Sequence, residues 1–170
     1  MAERTGIVTV GGNPLTLLGD EIKVGDKAPA FSVVANDMTQ VESSAYDGKV
    51  RIISVVHSLD TGVCDAETRR FNQEASKLDD DIVVLTVSMD LPFAQSRWCA
   101  AAGIDRVVTL SDYRGGFGSA YGVLIKEIGL LTRAVFVVDR NGIVQHAQIV
   151  PELSDEPDYE PVLDAARKLV

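Results

Sequence analysis

The chain has 170 residues, 46% hydrophobic and 24% charged, with a formal net charge of −9 and two cysteines. That length suits a single domain with a substantial core, and the apolar content excludes an intrinsically disordered chain. The acidic balance argues against nucleic acid or an anionic membrane surface as partner, and two cysteines are too few for a disulfide scaffold.

Met1-Ala2-Glu3-Arg4-Thr5 is not followed by an apolar stretch of signal-peptide type, and the apolar runs, such as Ala134 to Val138, are only of strand length. A cytoplasmic protein is expected, in which a disulfide would be transient and catalytic.

Residues 4–18 read as a β-hairpin, with β-branched Ile7 to Val10, turn residues Gly11-Gly12-Asn13-Pro14 and a return through Leu15 to Leu18. Phe31 to Ala35 reads as a strand, with a shorter one near 39–41 after an Asn36-Asp37 turn. Val50 to Val56 is the first long buried strand. After Cys64 a helix is expected to about Leu78, since Phe71, Ala75 and Leu78 share a helical face. Ile82 to Val87 is a near-continuous apolar run, the mark of a strand covered on both faces. Pro92 opens a helix that Gly103 ends.

Val107 to Leu110 is a short strand. Residues 111–132 are glycine-rich and irregular, with a short helix near 118–121. Arg133 to Val138 and Ile143 to Val150 form strands about an Asp139-Arg140-Asn141-Gly142 turn, and a last helix starts near Tyr159. The order predicts an α/β fold of thioredoxin-like type: a central mixed sheet flanked by helices, one domain over 1–170, with residues 1–18 as an N-terminal extension.

The chemistry centres on His57-Ser58-Leu59-Asp60-Thr61-Gly62-Val63-Cys64, where a strand gives way to a helix. A buried free cysteine is ordinarily an inert small hydrophobe. In the first turn of a helix, however, the dipole and the unpaired N–H groups favour the thiolate, which is the reactive form. Thr61 stands where it can reach that sulfur, and equally where it can cap the helix. Cys99 lies in the next helix beside Trp98, either as a buried thiol or as a chemical partner for Cys64. Arg133 heads an apolar strand and needs a partner, which a thiolate or a substrate oxygen would supply.

Competing chemistries find less support. Two cysteines with His57 and His146 lack zinc-ligand spacing, and His146 reads as a strand residue with a packing role. A Cys–His nucleophilic pair is possible, yet no motif places either histidine. Gly115, Gly116 and Gly118 do not make a dinucleotide-binding turn, and Ser58 has no flanking elbow glycines.

Ser58 to Cys64, Asp90 to Cys99 and Thr132-Arg133-Ala134-Val135, with the Gly12-Asn13-Pro14 hairpin and Glu156-Pro157-Asp158-Tyr159, resemble the bacterial thiol peroxidases, the atypical two-cysteine branch of the peroxiredoxins. The resemblance covers nearly the whole chain. It implies hydroperoxide reduction without metal, flavin, haem or other cofactor. Cys64 matches the peroxidatic nucleophile, Thr61 and Arg133 the residues that hold the thiolate and the peroxide, and Cys99 the resolving cysteine of an intramolecular disulfide.

Thioredoxin as reductant and a homodimer, with residues 111–122 at its interface, are implied as well. There is one departure: the family pattern is P-x-x-x-T-x-x-C, and its proline position is His57 here. Two other readings stay open. A thiol–disulfide oxidoreductase is disfavoured by the missing C-x-x-C and by the lack of a proline between Pro92 and Pro151. A peroxide-sensing redox protein would oxidise once without turning over.

Overall fold

The computed structural model describes residues 1–170. Its main sheet has seven strands: β3 (Ser32–Ala35), β4 (Gln40–Glu42), β5 (Val50–Val55), β6 (Ile82–Ser88), β7 (Val107–Ser111), β9 (Ala134–Val138) and β10 (Val144–Ile149), in the order β10-β9-β5-β6-β7-β3-β4. The central trio β5-β6-β7 is parallel, and β9 and β3 flank it antiparallel. Parallel neighbours need crossovers, and α1 (Gly62–Ala75) and α2 (Pro92–Ala102) supply them. This is the mixed, helix-flanked sheet that the element order predicts.

Side-chain parity divides the core into two layers. On β5, Ile53 and Val55 join Leu85, Val87, Phe117 and Phe136 on one face. Val50 and Ile52 face the other way, toward Phe71 of α1 and Val162, Leu163 and Ala166 of α4 (Tyr159–Arg167). Ser54 shares that second face, so a hydroxyl points at α1 from within an apolar strand.

The N-terminal extension is more firmly integrated than its sequence suggests. β1 (Glu3–Val10) and β2 (Asn13–Leu18) form the expected hairpin, but the turn needs only Gly11 and Gly12, both at positive φ, and pairing resumes at Val10 opposite Asn13. A third strand, β8 (Leu124–Ile125), lies within the stretch expected to be irregular. Two residues with no alternation signal cannot be read as a strand; only pairing with Leu17 and Leu18 makes them one. Val8, Leu15, Leu17, Ile125 and Leu153 then bury together. Thr9 exchanges backbone hydrogen bonds with Pro151 and Leu153 at 2.7 and 2.9 Å, which fastens the hairpin to the segment after β10.

In α2, Pro92 occupies the first turn and Gly103 closes the helix at φ 69°. The short helix α3 (Phe117–Ala120) places Phe117 against Tyr121 and Phe31. No helix is long and apolar enough to cross a membrane.

Candidate active site around Cys64

β5 ends at Val55, and the chain turns through His57 to Asp60 before α1 starts. That turn is tied down by Asp90, which follows β6. Its carboxylate accepts from the Ser58 hydroxyl at 2.7 Å, the Leu59 N–H at 2.9 Å and the Ser88 hydroxyl at 2.8 Å. The loop that leads into Cys64 is therefore fixed to the end of the neighbouring strand. Cys64 falls in the first turn of α1 and is fully buried among Val56, Leu59 and the Trp98 ring.

Thr61 holds the N-cap position of α1 but caps nothing with its side chain. Its hydroxyl donates to the Ser58 carbonyl at 2.8 Å and lies 3.2 Å from His57 Nε2. The capping role weighed from the sequence is absent because the side chain faces the loop and its histidine. Cys64 Sγ lies 3.4 Å from His57 Nδ1 and 3.6 Å from Nε2. Arg133, just before β9, reaches the sulfur from the opposite element: Nη2 donates to Sγ at 3.4 Å. The same guanidinium donates to the Leu153 carbonyl through Nη2 at 2.7 Å and Nε at 3.1 Å, and through Nη1 to Glu67. Glu67 also accepts from Ser54 at 2.9 Å.

Arg133 and Glu67 are both fully buried, so neither charge is tolerable alone; their ion pair and the further hydrogen bonds make the burial possible. Burial pushes Glu67 up to about 7, against the lowering effect of the Arg133 charge. At Cys64 burial also pushes upward. Hydrogen bonding from His57 and Thr61, a Ser58 backbone contact and the Arg133 charge overcome it and bring the thiol down from 9.0 to about 6. These contacts favour the thiolate over the thiol inside an apolar setting.

Three of the four residues singled out from the sequence, Thr61, Cys64 and Arg133, meet at one site. Cys99 does not. It faces β7, its sulfur 3.4 Å from the Thr109 hydroxyl, which in turn donates to Asn36 at 2.9 Å. Both thiols are free. Trp98, next to Cys99 in sequence, packs on the Cys64 cluster, and its Nε1–H donates to Asp65 at 2.9 Å and so links α2 to the first turns of α1.

The sequence reading missed Glu67, Ser54, Leu153 and Asp90. Glu67 could have been found. Cys64, Glu67, Thr68 and Phe71 form the buried stripe of α1, and a carboxylate on such a stripe demands a buried cation. Leu153 acts through its carbonyl, which no sequence pattern marks. Val10, Val63, Ile128 and Leu153 surround the mouth of the site with apolar surface, beside His57, Thr61 and Arg133, in a cavity of about 280 Å³.

The redoxin family profile matches residues 23–163, a span that holds His57, Thr61, Cys64, Glu67, Arg133 and Leu153. This chain belongs to the redoxin family. Within it the chain is 58% identical to a thiol peroxidase of Halalkalibacterium halodurans over 94% of its own length and 96% of the relative's. It is 56% identical to a thiol peroxidase of Bacillus subtilis over 96% and 98%. Among solved structures, a peroxiredoxin-like protein from Aquifex aeolicus superposes with a TM-score of 0.92 at 43% identity, covering 98% of each chain. This redoxin is accordingly an enzyme of the thiol peroxidase type on a thioredoxin-like fold.

Proposed function

We propose that this redoxin reduces hydroperoxides at Cys64 and resolves the product with Cys99. The Cys64 thiolate attacks one peroxide oxygen; the O–O bond breaks, alcohol or water leaves, and the sulfur becomes a sulfenic acid. Cys99 attacks that sulfur, water leaves, and an intramolecular disulfide forms. An external dithiol reduces it by exchange. Arg133 and Thr61 hold the thiolate and the peroxide. The observation that carries this reading is a fully buried sulfur in the first turn of α1 that accepts from Arg133 Nη2 at 3.4 Å, with His57 Nδ1 at 3.4 Å beside it.

Cys99 supports the resolving role by position: it lies on α2, the helix that Trp98 packs against the Cys64 cluster. Disulfide bonding requires Cα atoms about 4.4–6.8 Å apart, so a sulfur held against Thr109 must leave it and α2 must loosen. Thioredoxin as the reductant, a homodimer and a cytoplasmic location complete the proposal. They rest on likeness to the thiol peroxidases and on the reading of the sequence.

Stopped-flow peroxide reduction tests this, with wild type, Cys64→Ser and Cys99→Ser and with thioredoxin supplied. Cys64→Ser is expected to lose peroxide consumption. Cys99→Ser is expected to keep one rapid turnover and lose steady state. Normal turnover by Cys64→Ser would refute the assignment. A thiol–disulfide oxidoreductase would instead reduce insulin, and a one-shot sensor would show no steady-state turnover with any dithiol.

A further inference from the structure

Cys64 follows the C-terminal end of β5. At the opposite end, where that strand begins, lies a second cavity of about 490 Å³. Residues 27–30, the 3₁₀ turn Ser43–Tyr46 and the β9–β10 turn enclose it. Its wall carries three cations, Lys27, Arg51 and Arg140, against one carboxylate, Asp47, in a chain whose net charge is −9. We infer that this cavity binds a small phosphate ester that carries hydroxyl groups. It shares no lining residue with the cavity over Cys64, so the site is independent of the peroxide chemistry.

Arg51 is the residue that calls for a ligand. It is only 6% exposed, yet no carboxylate pairs with it. Its partners in the protein are two backbone carbonyls: Nε donates to Lys49 at 3.1 Å and Nη2 to Asp139 at 3.0 Å. Nη1 meets no acceptor, and it is not sealed from solvent as a buried orphan atom would be. Asp139 offers its carbonyl because its carboxylate is spent elsewhere, accepting from the Asn141 and Ile143 N–H groups and from Gln145 Nε2. At Asp139 burial pushes upward, and those three bonds, with a lesser contribution from the Arg51 charge, hold its carboxyl below the usual range. A guanidinium nearly withdrawn from water with only neutral acceptors lacks a counter-charge, and burying charge in that way is costly.

A phosphate group supplies what is missing. Its oxygens match the guanidinium fork, and an ammonium adds a point charge. Lys27 is exposed and has no carboxylate partner. Arg140 is tied to Asp81 at 3.1 Å, but both side chains are close to half exposed, and such a surface pair is worth little.

The remaining wall selects the rest of the ligand. Ser43 Oγ accepts from the Phe31 N–H at 3.2 Å and keeps its own proton to donate. Ser44 and Asn141 add a hydroxyl and an amide, and the Asp47 carboxylate can accept from a ligand hydroxyl while repelling a second phosphate. The apolar lining is confined to Ala28 and Ala30, and no aromatic ring stands there to stack on a base. The chemistry fits a phosphorylated polyol better than a nucleotide.

Amide NMR of the isotope-labelled full chain, titrated with glycerophosphate at fixed ionic strength, tests the site. Saturable shifts are expected at Ser43, Ser44, Asn141 and Gly142, and inorganic phosphate is expected to bind more weakly because it brings no carbon-borne hydroxyl. Lys27→Gln removes a charge from an exposed position, and Arg51→Lys keeps the buried charge but loses the fork. Each is expected to weaken binding about tenfold, the loss of one charged hydrogen bond. Lys168→Gln, on the exposed C-terminal turn, is expected to leave the affinity unchanged.

The variants are compared at matched circular dichroism, and Lys27→Gln alone decides the matter if Arg51→Lys does not fold. Absence of saturable shifts at the four amides, shifts centred elsewhere, or equal weakening by Lys168→Gln and Lys27→Gln would overturn the site. Inorganic phosphate or adenosine monophosphate binding as tightly as glycerophosphate would overturn the assignment of a phosphorylated polyol.

Discussion

At the residue scale, the site turns on how a buried sulfur is kept charged. Burial disfavours the thiolate, and His57, Thr61, the Ser58 backbone and Arg133 together reverse that preference. Alkylation of Cys64 by iodoacetamide is therefore expected to rise with pH and level off just above about 6, the value to which the thiol is drawn. The same shift links to stability. The folded value lies below the ordinary 9.0, so the charged sulfur stabilises the fold fully above pH 9, and that contribution is lost as pH falls through about 6.

Glu67 has the opposite sign. Its folded value lies above the ordinary 4.5, so its contribution is full below pH 4.5 and is lost as pH rises through about 7. The carboxylate is nonetheless structural. Glu67→Ala leaves the buried Arg133 guanidinium without its partner and is expected to cost about 3–5 kcal/mol in urea denaturation, as for other broken buried pairs.

At the scale of elements, the two cysteine-bearing helices are held in a geometry that keeps the thiols apart. Trp98 links α2 to Asp65 of α1, Arg69 lies over the indole at 5.7 Å, and Cys99 rests against Thr109 of β7. The proposed Cys64–Cys99 disulfide requires breaking the last contact and straining the first. Trp98→Phe keeps the ring and removes the N–H. Loss of a half-exposed hydrogen bond to a carboxylate, worth ~1 kcal/mol, is expected to speed disulfide closure roughly fivefold while leaving the peroxide step unchanged. Two-phase stopped-flow oxidation separates the steps. Hydrogen exchange is expected to quicken over 61–67 and 92–102 on oxidation; unchanged protection there would count against helix loosening.

At the scale of the molecule, the N-terminal hairpin belongs to the site. Thr9 fastens the segment that carries Leu153, and the Leu153 carbonyl holds the Arg133 guanidinium that faces Cys64. Leu17, fully buried on β2 of the hairpin, packs in one cluster with Leu153. Leu17→Ala is expected to destabilise by about 2–5 kcal/mol on thermal unfolding. It is also expected to move the Cys64 alkylation midpoint upward as Arg133 loses its support.

Acid should loosen the same anchor. Glu152 accepts from Gly12 N–H, Ser154 and Thr9, which hold its carboxyl down at about 2. Its contribution is therefore present above pH 4.5 and fades as pH falls toward 2, seen as faster exchange of the Gly12 and Ser154 amides.

The sequence alone determined the alternation of strands and helices, because hydrophobic period and the Pro92 and Gly103 punctuation are local signals. It also singled out Cys64, which sits at a strand-to-helix junction, and it marked His57, Thr61, Cys99 and Arg133 by position. Tertiary structure decided what these residues touch. β8 exists only because β2 pairs with it, and Glu67 matters only because Ser54 and Arg133 converge on it from β5 and the start of β9. Thr61 turns to His57 rather than to the helix N–H groups, and Leu153 acts through a backbone carbonyl that no side-chain pattern reports. Long-range pairings of this kind depend on which chain segments the fold makes neighbours, and local composition carries no record of that.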